Sequence, residues 1–240
     1  MREALYFSGI RWPAARVVDR KQLIDDDDPV PGLVPVAVSY VDALVIETTG
    51  SGRPYEVNFI EGWWRDFAEG RLDDENHVLR FLRRRGDPFG VLAPDGTQIS
   101  TRSRTWRDLK KVLEVAATAW EPQLAFTPAG ISRFRPERRQ GAERMFDVVT
   151  GPAATGWADD LGVHYSGISR SDHAKTLAAY LCAAAAASVE AGLDMRRCGH
   201  CGSWFTLHYA NARHCGNSCR AAANSNRRSP HVVVSQDHNP

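Results

Sequence analysis

The chain has no apolar run long enough to cross a bilayer. Its longest weakly polar stretch, Leu177 to Val189, covers 13 residues, against the roughly 20 that a spanning helix needs. The N-terminus lacks the basic, apolar and small-residue succession of an export signal, because Trp12-Pro13 and Arg16 break it early. A soluble, cytoplasmic protein with no membrane partner is the expectation. There is no charge excess either: 30 Lys and Arg stand against 29 Asp and Glu. Any case for a polyanionic partner therefore has to be local. Familiar catalytic signatures are missing. There is no Walker A loop, no His-Glu-x-x-His and no Gly-x-Ser-x-Gly. The zinc-deaminase combination of His-x-Glu with Pro-Cys-x-x-Cys does not occur. An enzyme is not expected, the remaining enzymatic alternative being a site in the N-terminal region. No long-period repeat is visible. The acid run Asp25 to Asp28 lacks the alternating spacing of a calcium loop. Pro29, Pro31 and Gly32 follow it and predict an irregular connection, and residues 1–33 as a whole read as irregular.

What is present upstream points to an α+β fold. Val36, Val38 and Tyr40 alternate, then Leu44, Ile46 and Thr48, then Tyr55, Val57 and Phe59. With Thr49-Gly50-Ser51-Gly52 as a turn, this predicts an antiparallel hairpin or meander. Trp63 and Trp64 read as packing residues. Asp73 or Asp74 can cap a helix carrying Val78, Phe81 and Leu82, stopped by Gly86 and Pro88. Arg80, Arg83, Arg84 and Arg85 on that helix suit its negative C-terminal end; the alternative is a second nucleic-acid contact. Phe89 to Ile99 reads as a short hairpin around Pro94-Asp95-Gly96. Ser103 can cap a helix with Trp106, Leu109, Leu113, Ala116, Ala117 and Trp120 at helical spacing. Residues 127–141 read as a loop, Met145 to Val149 as a strand, and residues 151–170 as a loop. Ser171 or Asp172 can open an alanine-rich helix that ends near Ala191 at Gly192. Cys182, inside it, reads as a small buried apolar residue.

Four of the five cysteines fall within 22 residues, as C-x2-C-x13-C-x3-C: Cys198, Cys201, Cys215 and Cys219. Without an export signal, clustered cysteines read as metal ligands before disulfides. Thiolate sulfurs meet the tetrahedral preference of zinc, and four of them close its shell, as in a structural site. Gly199 and Gly202 flank the first pair and can supply the positive φ of a knuckle. Asn217 or Ser218 can cap a helix that holds Cys219 in its first turn. Trp204, Phe205, Leu207 and Tyr209 suit a hairpin between the two pairs. The expected order is knuckle, hairpin, helix: a treble-clef arrangement. His200, His208 and His214 could replace a sulfur, but four sulfurs already complete the set.

The module also has a local charge. Residues 195–228 hold six arginines and no Asp or Glu. Four thiolates around a divalent metal carry −2, which leaves +4. Arginine grips phosphate oxygens with paired hydrogen bonds, and a small basic module on a near-neutral chain suits phosphate binding. Arg220, Arg227 and Arg228 are the first candidates for phosphate contact, with Arg213, Arg196 and Arg197 secondary. Asn224 on the same helix could reach sugar, phosphate or a base edge.

Cys198-x2-Cys201, Trp204-Phe205 and Cys215-Gly216-Asn217, with the Arg-rich helix behind them, resemble the C-terminal zinc finger of bacterial CGNR-type proteins, a family of transcriptional regulators. The likeness covers some 35 residues. It departs from the family where Cys-Gly-Asn begins at the third cysteine and continues to Ser218. The resemblance implies a zinc finger that binds DNA, preceded by a ligand-sensing or stress-response domain. The expected organisation is an α+β domain over 1–170, a connecting helix over 171–193, a four-cysteine zinc finger over 194–230 and a tail over 231–240. The expected function is a DNA-binding transcriptional regulator, with a small-molecule effector of the N-terminal domain and homo-oligomerisation as further options. The alternative is a zinc-stapled module that meets another protein.

Overall fold

A long bent ribbon opens the chain. Strands β1 (Tyr6–Arg11) and β2 (Ala15–Ile24) run antiparallel to β4 (Arg53–Val57) and β3 (Tyr40–Thr48) respectively. The register nearly carries through the corner, with Arg11 opposite Arg53 on one side and Ala15 opposite Thr48 on the other. Trp12-Pro13-Ala14 makes the corner. Proline cannot donate to a ladder, and the Ala15 N–H closes back on the Trp12 carbonyl (3.1 Å). The two halves of the ribbon join different sheets, ordered β4-β1-β7 and β2-β3-β5. Strand β5 is Ile99–Ser100 and β7 is His173–Ala174. The reading of residues 1–33 as irregular is thus corrected over β1 and β2. The expected hairpin between the segments around 44–48 and 55–57 does not form. Thr49 to Gly52 turns the ribbon's corner instead of closing a hairpin.

The computed structural model describes residues 5–24, 40–57, 62–94, 96–121, 130–150, 173–174 and 176–228. The expectations for Asp25 to Asp28, Val36, Val38, Phe59, Asp95, residues 151–170, Ser171, Asp172 and the tail lie outside these residues.

Among the described residues five helices precede the cysteine segment: α1 (Trp63–Glu69), α2 (Glu75–Arg84), α3 (Arg104–Ala117), α4 (Pro136–Thr150) and α5 (Leu177–Ala191). The Asp74 carboxylate caps α2 by accepting from the Asn76 and His77 amides. Ser103 occupies the cap position of α3, but its hydroxyl meets Thr105 and no backbone N–H. The Thr176 hydroxyl caps α5 at Ala179, so this helix opens later than the expected Ser171 or Asp172, with a strand at His173–Ala174 before it, and Gly192 ends it in the left-handed region. Met145 to Val149 lies in α4 and is not a strand. Pro136 suits a first helical position, and the unbranched Glu and Arg residues after it favour helix over the β-branched pair Val148-Val149. The expected loop over 127–141 is likewise replaced from Ile131 onward by strand β6 (Ile131–Ser132) and the start of α4. The described part of 89–99 forms no hairpin. The buried Asp87 carboxylate organises it by accepting from the Phe89, Val91 and Leu92 amides.

Helix α5 is buried along most of its length, from Leu177 through Ala185 and again at Ser188 and Val189. A helix apolar all round belongs inside, and it packs against α1, α3, α4 and β1. Around it, Tyr180 meets Phe7 and Trp63, and Trp64 meets Trp120. Cys182 is fully buried, as expected. Among the described residues no helix is long and apolar enough to cross a membrane.

The third sheet carries the site. Its order is β6-β8-β9, all antiparallel, with β8 Met195–Arg197 and β9 Trp204–Thr206. Strand β6 comes from the part of the chain before the connecting helix, whereas β8 and β9 flank the first cysteine pair. Helix α6 (Asn217–Arg228) completes the described chain.

Candidate metal centre

The hairpin of the site is built around the knuckle. Arg197 pairs with Trp204, so Cys198 to Ser203 forms the loop that joins β8 to β9. The hairpin expected between the two cysteine pairs is corrected: it brackets the first pair. The apolar residues Trp204, Phe205 and Leu207 mark a strand, but not which strand it joins. The Cys198 N–H bonds the Ser203 carbonyl, and the Gly202 N–H bonds the Cys198 carbonyl (both 2.9 Å). Gly202 supplies the positive φ, at 74°, whereas Gly199 does not adopt one. The Gly199 N–H instead bonds the Arg213 carbonyl (2.9 Å), which brings the second pair back to the first. The Arg220 N–H already bonds the Gly216 carbonyl, so α6 starts earlier than a cap at Asn217 or Ser218 would allow. Cys219 lies in its first turn, as the spacing predicts.

This arrangement draws four sulfurs together. The Sγ atoms of Cys198, Cys201, Cys215 and Cys219 all lie within 4.8 Å of one another. Cys201 to Cys215 is 3.7 Å and Cys215 to Cys219 is 3.5 Å. Zn–S bonds of about 2.3 Å in a tetrahedron require sulfur separations of about 3.8 Å. The donor set and its spacing fit a structural metal, for which zinc is the typical occupant. The Cys215 N–H also points at Cys198 Sγ (3.4 Å). His200, His208 and His214 are not part of the cluster.

Packed thiols cannot all ionise by themselves. Hydrogen bonding from the Cys215 thiol pulls Cys201 down to about 3, against the opposing effect of burial. Donating to Cys201 pushes Cys215 far up, with burial adding to it. Cys219 rises to about 11, first through burial. One thiolate thus blocks its neighbours, and a divalent cation is the natural way to make all four anionic.

A polar seam fixes the knuckle to α1, and the sequence reading did not find it. The Trp204 indole is fully buried; its Nε1–H donates to Glu69 Oε2 (2.9 Å) and its backbone N–H to Asp66 Oδ1 (3.1 Å). Arg65, only 1% exposed, stacks on the Trp204 ring at 4.0 Å. It donates to Glu69 (2.7 Å) and to the Ser132 hydroxyl on β6 (2.8 Å). Burial raises the Asp66 carboxyl to about 6, partly offset by the Trp204 amide. Gly62 begins α1 so close to β9 that a Cβ there would lie 2.4 Å from the Trp204 carbonyl oxygen. The signal in the sequence was Arg65, Asp66 and Glu69 beside two tryptophans, an unusual charge density for a helix that packs on a core.

The candidate phosphate-binding arginines divide. Arg213 and Arg220 are exposed, and among the described residues Arg220 donates to the Asn217 side chain. Asn224 is exposed on α6. Arg227 and Arg228 fall on the last turn of α6, with side chains outside the described residues. Arg196 and Arg197 are held within the molecule. Arg196 donates to the Ala212 carbonyl (2.6 Å). Arg197 pairs with Glu69 (2.8 Å), donates to the Gly202 carbonyl and lies over the Trp204 ring.

Fold and site define an α+β protein with a four-cysteine metal-binding cluster at its C-terminal end. No family model, curated protein or solved structure matches the chain, so the likeness to CGNR-type fingers rests on the residues quoted for it.

Proposed function

We propose that the chain is a DNA-binding regulatory protein in which a structural zinc ion holds Cys198, Cys201, Cys215 and Cys219 and fixes helix α6 for phosphate contact. The supporting observation is the combination of converging sulfurs with a finger segment that has six arginines and no acid. Arg213 and Arg220 make no ion pair among the described residues. With Arg227 and Arg228 they give about four phosphate contacts. Arg196 and Arg197 act in this reading as braces for the finger. A closed four-thiolate shell leaves no open metal position for catalysis, and the protein is read as non-enzymatic.

The test is fluorescence anisotropy of duplex DNA against the zinc-loaded protein across a salt series. A log–log slope of about −3 to −4 is expected for four neutralised phosphates. Arg227→Glu with Arg228→Glu should abolish binding while zinc content stays unchanged. No binding at low salt would sink this reading. The burial of Trp204 favours the second one, in which the metal staples the C-terminal segment to the domain and α6 meets a protein.

A further inference from the structure

Beside the knuckle lies a cleft of about 190 Å³, walled by α1, α2 and the Cys201–Ser203 segment. Arg80, Arg84, Arg85 and Arg197 line it, against two carboxylates, Asp66 and Glu69. The acids are already engaged. Asp66 accepts from the Trp204 amide, and Glu69 from the Trp204 indole, Arg65 and Arg197. Two arginines remain in a different situation. Among the described residues Arg80 reaches the His77 ring (3.4 Å) and Arg84 the Cys201 carbonyl (3.1 Å). Among the described residues neither pairs with a carboxylate. They sit at i and i+4 on α2, so both side chains project on one face. Burial first, and then the neighbouring Arg80 charge, lower His77 to about 4. Its ring is neutral near pH 7, can accept from Arg80 and adds no competing charge. The cleft thus carries two positive charges in excess, both on guanidiniums without an acid, beside a wall that includes Phe81.

We infer that this cleft binds a small phosphorylated ligand, whose phosphate oxygens take paired hydrogen bonds from Arg80 and Arg84. Guanidinium is the group that recognises a tetrahedral oxyanion in this way. The volume suits one or two phosphoryl groups better than a bulky ligand. Arg84 also holds the Cys201 carbonyl, so occupancy of the cleft is felt at the metal knuckle. The inference does not depend on DNA binding: a failure of the nucleic-acid reading leaves the cleft's chemistry as it is.

The experiment is calorimetric titration of the zinc-loaded full chain with inorganic pyrophosphate, with ionic strength held constant by sodium chloride. Saturable one-to-one binding is expected. Arg80→Gln with Arg84→Gln should weaken it at least tenfold, and Arg80→Lys with Arg84→Lys should weaken it less. Arg53→Gln, on β4 and away from the cleft, should leave it unchanged. Should the double glutamine variant lose zinc, Arg80→Gln alone decides, with an expected loss of at least threefold, because Arg80 holds no backbone group. Absent saturation, an Arg80→Gln protein that binds as tightly as wild type, or an equal loss in Arg53→Gln would overturn the site. So would a double variant that loses duplex DNA while pyrophosphate has no site, which would assign both arginines to a nucleic-acid surface.

Discussion

Asp66 shows how a single buried acid can serve a joint at a cost. Its oxygen is needed by the Trp204 amide, yet burial raises its carboxyl to about 6 from an ordinary 3.8. The folded protein therefore holds this proton more tightly than the unfolded chain. Stability from this group is greatest below the unfolded value and declines as pH rises between about 4 and 6. Asp66→Asn keeps an oxygen for Trp204 and removes the titration. Urea midpoints of the two zinc-saturated proteins, measured across that window, should show wild type losing stability relative to the variant as pH rises. Parallel curves would mean that the carboxylate is solvated after all. Beyond the charge density of Arg65, Asp66 and Glu69 beside two tryptophans, the sequence does not reveal this joint, because a carboxylate's burial depends on which distant element covers it. The cysteine ligands were legible, because their spacing alone brings sulfurs to one centre.

Among the elements, α2, α3 and α5 were legible, whereas α1, α4 and the strand partners were not. The apolar spacing of α2 and α3 and the alanines of α5 are local signals, and each helix forms. Strand alternation identifies a strand but not its neighbour, which is why Thr49 to Gly52 reads as a hairpin turn although it bends a ribbon. The knuckle repeats the lesson: Trp204 and Phe205 were recognised as strand-forming, but their partner is Met195–Arg197. Helix α5 allows a direct test of packing. Ala184 is fully buried and small enough for the surrounding elements to approach closely. Ala184→Leu adds three heavy atoms at a filled position and should cost about 1–3 kcal/mol, read as a lowered urea midpoint with an unchanged slope. A neutral or stabilising result would show a void beside α5.

For the whole molecule, the four-cysteine cluster and the larger domain are mechanically joined. Trp204 belongs to the main hydrophobic cluster, Arg65 ties β6 and β9 to α1, and the sheet runs across the segment boundary. Chelation should therefore lower the main thermal transition and quench or shift the tryptophan emission, both reversed by added zinc. Calorimetry that finds an unaltered main transition, with loss confined to a separate small one, would show an autonomous finger. Replacing Trp204 with Ala should cost about 3–5 kcal/mol even with metal bound.

The sheet that spans residues 131 to 206 also limits what can be transplanted. A fragment cut at residue 194 would take all four sulfurs with it. It would leave behind the strand that edges Met195–Arg197 and the socket that shelters the indole of Trp204. Such a graft would expose a bare strand edge and a large aromatic ring to solvent, a combination that promotes association between copies. The four cysteines are portable; the frame that orients them belongs to the rest of the chain.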